Sequence, residues 1–183
     1  MFMFYEVALI PMYLLIGVWG SGKKEYAAMK LTLMLMGGSA LLLVGILGIY
    51  FHSSTTGAFT MNLQEIAQAH AMPESLQRWF FPLVFTGFGV LGALFPFHTW
   101  SPDGHASAPT AVSMLHAGVL MKLGGYGCFR VAIHLMPEAA KELSWIFIIL
   151  TGISVVYGAY SAIVQTDLKY INAYSSVSHC GLV

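Results

Sequence analysis

The run APTAVSMLHAGVLMKLGGYG, Ala108–Gly127, decides how the rest of the chain is read. It is apolar, rich in small residues and set in a longer segment, 106–135, that could cross a bilayer, for which about 20 mostly apolar residues suffice. Lys122 lies inside that segment. A cation near the middle of a spanning helix costs roughly 2.5–3.5 kcal/mol on insertion scales. It therefore needs a partner or a task, and the default reading of such a residue is functional. His116 precedes Lys122 by six positions, about 240° around an ideal helix, so the two do not share a face.

The composition extends this reading to the whole chain. Residues are 57% hydrophobic and only 9% charged, whereas soluble domains carry about 25% charged residues. This is the balance of an integral membrane protein built mostly of spanning helices. The formal net charge is zero, which excludes a basic nucleic-acid binder. Cys128 and Cys180 both lie in apolar stretches and read as buried thiols rather than a disulfide framework. The first apolar segment has no basic flank and no small-residue cleavage site, so it is not a signal peptide. The last apolar run breaks off at Val183. Residues 1–183 are therefore expected to form a single transmembrane domain, an internal piece of a longer membrane protein.

Residues 1–20 are expected to form a first span, closed by Lys23 and Lys24 on the cytoplasmic side. Pro11 should kink it. Glu6 lies either well within the bilayer, roughly 20–25 Å from the basic end at about 1.5 Å per residue, or at an interface. A second span covers 26–51, with Lys30 near its cytoplasmic end free to snorkel. Its glycines, Gly37, Gly38, Gly45 and Gly48, let helices approach closely. The polar stretch 52–77 suits the outer side and carries one possible short interfacial helix, Met61–Ala71. A third span is expected over 79–97.

The connection His98–His105 is punctuated by proline and glycine. Its two histidines and Asp103 match no standard metal spacing, and they could equally cap or satisfy a broken helix. The fourth span, 106–135, holds His116 and Lys122; Gly118, Gly124 and Gly125 leave the backbone near the lysine lightly packed and open to a break. Pro137, Glu138, Lys141 and Glu142 mark an outer loop, 136–143. A fifth span covers 144–165, and Asp167 and Lys169 close it on the inside. The stretch from Tyr170 to Val183 begins a sixth, polar for a span, with Asn172, Ser175, Ser176, Ser178 and His179. The expected fold class is all-α: a polytopic transmembrane helix bundle of five full spans and the start of a sixth.

Several motifs in order carry a resemblance. They are Tyr5-Glu6-Val7-Ala8-Leu9-Ile10-Pro11, Pro96-Phe97-His98-Thr99-Trp100, Pro102-Asp103, Ala108-Pro109-Thr110, Gly118–Gly127, Asp167-Leu168-Lys169 and Ala173–His179. Together they resemble the antiporter-like membrane subunits of respiratory complex I, the proton-translocating NADH-quinone oxidoreductase. The resemblance covers essentially the whole chain and implies roughly the central third of a longer subunit.

That resemblance implies proton translocation coupled to electron transfer in other subunits, with no redox chemistry in this chain. It implies no cofactor and no metal here, with NAD, FMN, iron–sulfur clusters and quinone held by partner subunits. The implied partners are the other membrane subunits, the lipid bilayer and protons, with no nucleic acid, in a multi-pass protein of a bacterial inner membrane. By position, Glu6 matches the family's glutamate in its Glu-x-x-x-x-Pro helix, Lys122 a buried lysine and His179 the Ser-His pair. Lys169 and His116 complete the candidate relay.

One position departs from the family pattern. Leu91 stands where the family carries a lysine that pairs with the glutamate, so Glu6 lacks its usual partner. His116 or a water chain is the candidate replacement, and His116 could equally serve as a helix–helix hydrogen-bonding residue. Lysine suits a relay because burial favours its neutral form and a nearby carboxylate its charged form. Two rival readings stand beside this one. The first is a subunit of a multisubunit cation/proton antiporter or membrane-bound hydrogenase. The second is a membrane scaffold with vestigial ionisable residues.

Overall fold

The computed structural model describes residues 2–53, 59–69 and 72–183. Among these residues the regular structure is all helical. Helix α1, Phe2–Trp19, contains Pro11 and turns through Gly22, whose φ of 66° falls where glycine is favoured. The chain then enters α2, Lys24–Phe51, which packs back on α1. Tyr5 ties the pair by donating its hydroxyl to the Leu35 carbonyl at 2.9 Å. Helix α3, Leu63–Ala69, lies within the expected Met61–Ala71; Ala71 itself falls outside the described residues.

Helix α4 runs Glu74–Leu91, starting and stopping earlier than the expected 79–97. Its polar first turns reach the neighbouring helix that carries Glu142, whose Oε2 lies 2.7 Å from Arg78 Nε. It ends at Gly92 and at Ala93, which adopts φ 56° and cannot continue a right-handed helix. The glycines of α2 give α4 its approach. A Cβ at Gly45 would stand 2.3 Å from Val84 Cγ2, and one at Gly38 would stand 2.8 Å from Val90 Cβ. This is the close small-residue packing that membrane helices use.

The span expected over 106–135, open to a break near the lysine, is a series of short pieces. Helix α5, Trp100–Ser107, is followed by α6, Thr110–Leu115; a π-helical segment, His116–Leu120; α7, Met121–Gly127; and a second π segment, Cys128–Ile133. Such π segments insert an extra residue per turn and recur at functional sites. Helix α8 runs Pro137–Val164, so the expected outer loop 136–143 is its first two turns. Proline is favoured at a helix start, where its missing N–H has no partner to lose, and Lys141 pairs with Glu138 at 3.0 Å along the helix. Helix α9, Leu168–Leu182, is capped by Asp167, whose Oδ1 accepts from the Lys169 N–H at 2.9 Å.

Helix α8 packs on α9, α2 on α4 and α5, α5 on α9, and α4 on α7. One apolar core gathers Tyr5, Leu9, Leu31, Leu91, Trp100 and Met121; a second gathers Leu42, Phe81, Val84, Phe88 and Met136. Among the described residues α1, α2 and α8 are long and apolar enough to cross a membrane. Helix α4 and the interrupted 110–133 run complete the bundle. Large apolar side chains such as Phe4, Trp145 and Ile148 point outward, as a lipid-facing or partner-facing surface requires.

Candidate functional site

One group of ionisable residues collects around the breaks at α5, α6 and the first π segment. Lys30 on α2 was expected to snorkel, but its Nζ lies 2.7 Å from Asp103 Oδ2 on α5, with the two side chains only 24% and 29% exposed. Two residues on, His105 places Nδ1 2.9 Å from Ser113 Oγ of α6, bridging the turn between those helices. The His105 ring centroid is 4.3 Å from that of His116, which also lies 5.1 Å from the Trp100 ring. Trp100 is fixed in turn, donating Nε1–H to the Val90 carbonyl at 3.0 Å. His105 Nε2 and both nitrogens of His116 are buried without a hydrogen-bond partner.

His116 opens the first π segment and is completely buried. Lys122, one helix piece later, is exposed, so the two point away from each other. The Lys122 Nζ reaches Cys180 Sγ on α9 at 3.4 Å. Both residues line a largely apolar cavity of about 840 Å³ between α4, α7, α8 and α9. Among the described residues Lys122 has no carboxylate partner.

The remaining candidates are spread along the bundle. Glu6 is half-buried on α1, and its Oε1 is enclosed without a hydrogen-bond partner. Leu91, 1% exposed, shares a core with Tyr5, Leu9 and Leu120, so α4 offers α1 an apolar side chain there. No hydrogen bond joins Glu6 Oε1 to His116; the ring next to His116 is His105. Lys169 donates to the Ala106 carbonyl at 3.2 Å and the Ala108 carbonyl at 3.1 Å, closing the end of α5. His179 precedes Cys180 but is itself exposed. His98 stacks on Phe95 at 5.7 Å and meets the Tyr157 edge at 4.9 Å.

Sequence reasoning had not assigned His105, Asp103 and Lys30 to this cluster. The punctuated connection His98–His105 is the available signal, since its polar groups need partners whether they cap the next helix or satisfy a broken one. Among the described residues no three His, Cys, Asp or Glu side chains gather as metal ligands would.

Broken helices carrying ionisable side chains recur in membrane proteins that move ions. The chain belongs to the family described as NADH:quinone oxidoreductase/Mrp antiporter, TM, which it matches over residues 1–183. It is 43% identical over 182 residues to an NAD(P)H-quinone oxidoreductase chain 4 of Picosynechococcus, covering 100% of this chain and 32% of the relative. It is 40% identical over 187 residues to NADH-quinone oxidoreductase subunit M of Rickettsia bellii, covering 100% and 36%. The chain thus spans about a third of the length of these curated relatives. Its fold matches a chain of respiratory complex I from Thermus thermophilus with a TM-score of 0.89 and 31% identity, covering 99% of this chain and 38% of that one. A chain of an archaeal membrane-bound sulfane sulfur reductase matches with a TM-score of 0.87 and 28% identity, over 99% and 37%. The protein is an integral, multi-pass membrane protein.

Proposed function

We propose that the chain forms the central part of a proton-translocating membrane-arm subunit of a complex I-type NADH-quinone oxidoreductase. Protons pass through Glu6, His116, Lys122, Lys169 and His179, while partner subunits carry NAD, FMN, iron–sulfur clusters and quinone and perform the electron transfer. The other membrane subunits and the lipid bilayer are its partners.

The observation that carries this reading is the setting of Lys122. Its Nζ lies on an interrupted membrane helix, at a cavity wall, beside a thiol and, among the described residues, with no carboxylate partner. A lysine at such a break, with no carboxylate fixing it among the described residues, is the kind of ionisable side chain on a membrane helix that marks an ion pathway. Glu6 supports the reading from the other end, as a half-buried carboxyl with an unpartnered oxygen on a spanning helix.

The test is Lys122→Ala in the complete complex reconstituted in vesicles. Proton uptake driven by electron transfer should be lost, whereas a scaffold would pump as before. A second reading, a subunit of a cation/proton antiporter or another membrane complex, is favoured by the family's antiporter members and by the sulfane sulfur reductase match. Deleting the gene separates the two: loss of NADH-driven quinone reduction supports the first reading. Intact NADH oxidation with lost cation/proton exchange supports the second.

A further inference from the structure

We propose that His105 and His116 act as one unit that carries a single proton across the break between α5 and α6, an inference that rests on the proton-translocating reading above. A packed structural histidine normally satisfies its ring nitrogens, as buried polar groups almost always do. Here both rings are essentially inaccessible, at 1% and 0% exposure, yet three of their four nitrogens have no hydrogen-bond partner among the described residues. The fourth, His105 Nδ1, meets a serine hydroxyl, which can accept or donate and so suits either charge state of the ring.

The geometry favours exchange between the rings. Their centroids are 4.3 Å apart with the planes tilted by 45°, so rotation of one ring brings a nitrogen of each within hydrogen-bond reach. The N–H bond broken on one imidazole is matched by the one formed on the other, and the positive charge moves with the proton. His116 begins the π segment, whose extra residue gives its backbone room to shift. Gly104 leaves space for the ring, since a Cβ there would stand 3.3 Å from His116 Cε1. The Trp100 ring at 5.1 Å is placed to favour the charged imidazole through its π face.

The surrounding charges leave the proton free to move on. On α2 and α5, Lys30 and Asp103 neutralise each other. On α9, Lys169 is engaged by two carbonyls of the α5 end. Glu6 on α1 makes no ion pair among the described residues. No carboxylate therefore pins a proton on the pair, and repulsion at this separation allows only one ring to be charged at a time.

The experiment uses the complete complex with ring-labelled histidine and records turnover-induced infrared difference spectra beside vesicle pumping rates. The wild type should show label-sensitive imidazole and imidazolium bands. His105→Gln and His116→Gln should each remove those bands and slow pumping by roughly 10²-fold, the lower end of what a positioned proton-transfer group contributes. The double variant should be no slower than either single one, because members of a unit are non-additive. Absent bands in the wild type, or losses that multiply in the double variant, would overturn the pair. If one glutamine variant fails to assemble, the other decides, since it must remove the bands of both rings. Lys122→Ala is the control: pumping lost there but normal in both histidine variants defeats the pair alone. Pumping that survives Lys122→Ala defeats the underlying reading.

Discussion

Lys30 Nζ meets Asp103 Oδ2 at 2.7 Å, joining α2 to α5 across 73 positions of the chain. Helix α5 has only eight residues, too few to be stable by propensity alone. It is held by this ion pair and, at its far end, by Lys169 on two carbonyls. The helix that carries Trp100 and His105 is thus positioned by two lysines from different helices.

Removing one partner of that pair leaves a poorly hydrated charge behind, which costs more than the pair contributes. Lys30→Ala and Asp103→Ala should each lower stability by about 1–3 kcal/mol, and the double variant by less than the sum. Thermal midpoints of the purified complex, read as a double-mutant cycle, check this. Additive losses would show that the contact carries no coupling.

The glycines of the broken span divide sharply by what surrounds them. A Cβ at Gly124 would stand 2.4 Å from the Gly92 backbone nitrogen and 2.7 Å from the Phe88 carbonyl oxygen, whereas one at Gly118 meets nothing within 4 Å. Backbone cannot yield as a side chain can. Gly124→Ala should therefore separate α7 from α4 and cost on the order of 1–3 kcal/mol or more. Gly118→Ala should be neutral or slightly stabilising, because alanine is the better helix former. The yield and thermal midpoint of the two variants, compared side by side, decide the point.

Much of this architecture could be read from the sequence, and the exceptions have physical causes. Apolar runs placed α1 and α2 to within a few residues, because a bilayer-length apolar segment has few other uses. The starts of α4 and α8 look like loops in the sequence because Glu74, Arg78, Glu138 and Lys141 are polar. Their compensation, such as Arg78 on Glu142, lies across the bundle and leaves no local mark. The glycines around Lys122 mark its span as open to a break, but not the π form it takes at His116 and Cys128, since a one-residue change in winding hardly disturbs an apolar pattern. Glu6 and Lys122 stood out as charges in apolar helices. The Lys30–Asp103 and His105–His116 contacts did not, because residues far apart in sequence meet only when the helices pack.

Glu6 offers a clean separation of function from stability. Its Oε1 is enclosed without a partner, so the carboxyl contributes little to holding the bundle together. Glu6→Gln keeps the shape and removes the titratable proton. It should leave the thermal midpoint of the complex unchanged or raised while abolishing proton uptake in vesicles. A large drop in the midpoint with pumping preserved would assign Glu6 a structural role instead.

Cys180 sets the charge environment of Lys122, because its sulfur, 3.4 Å from the Nζ, is the one side-chain hydrogen-bond partner of that ammonium among the described residues. Cys180→Ala removes only a weak acceptor and should pump nearly normally. Cys180→Asp puts a carboxylate beside the Lys122 nitrogen at the wall of a largely apolar cavity, where opposite charges attract each other more than in bulk water. The proton on Lys122 would then be held in place. Pumping by Cys180→Asp should fall at least about tenfold, which a stabilisation of only about 1.4 kcal/mol would produce. Replacing the aspartate by asparagine, nearly the same shape without the charge, should restore most of the rate. Equal pumping by the aspartate and asparagine variants would show that the charge state of Lys122 does not control proton movement.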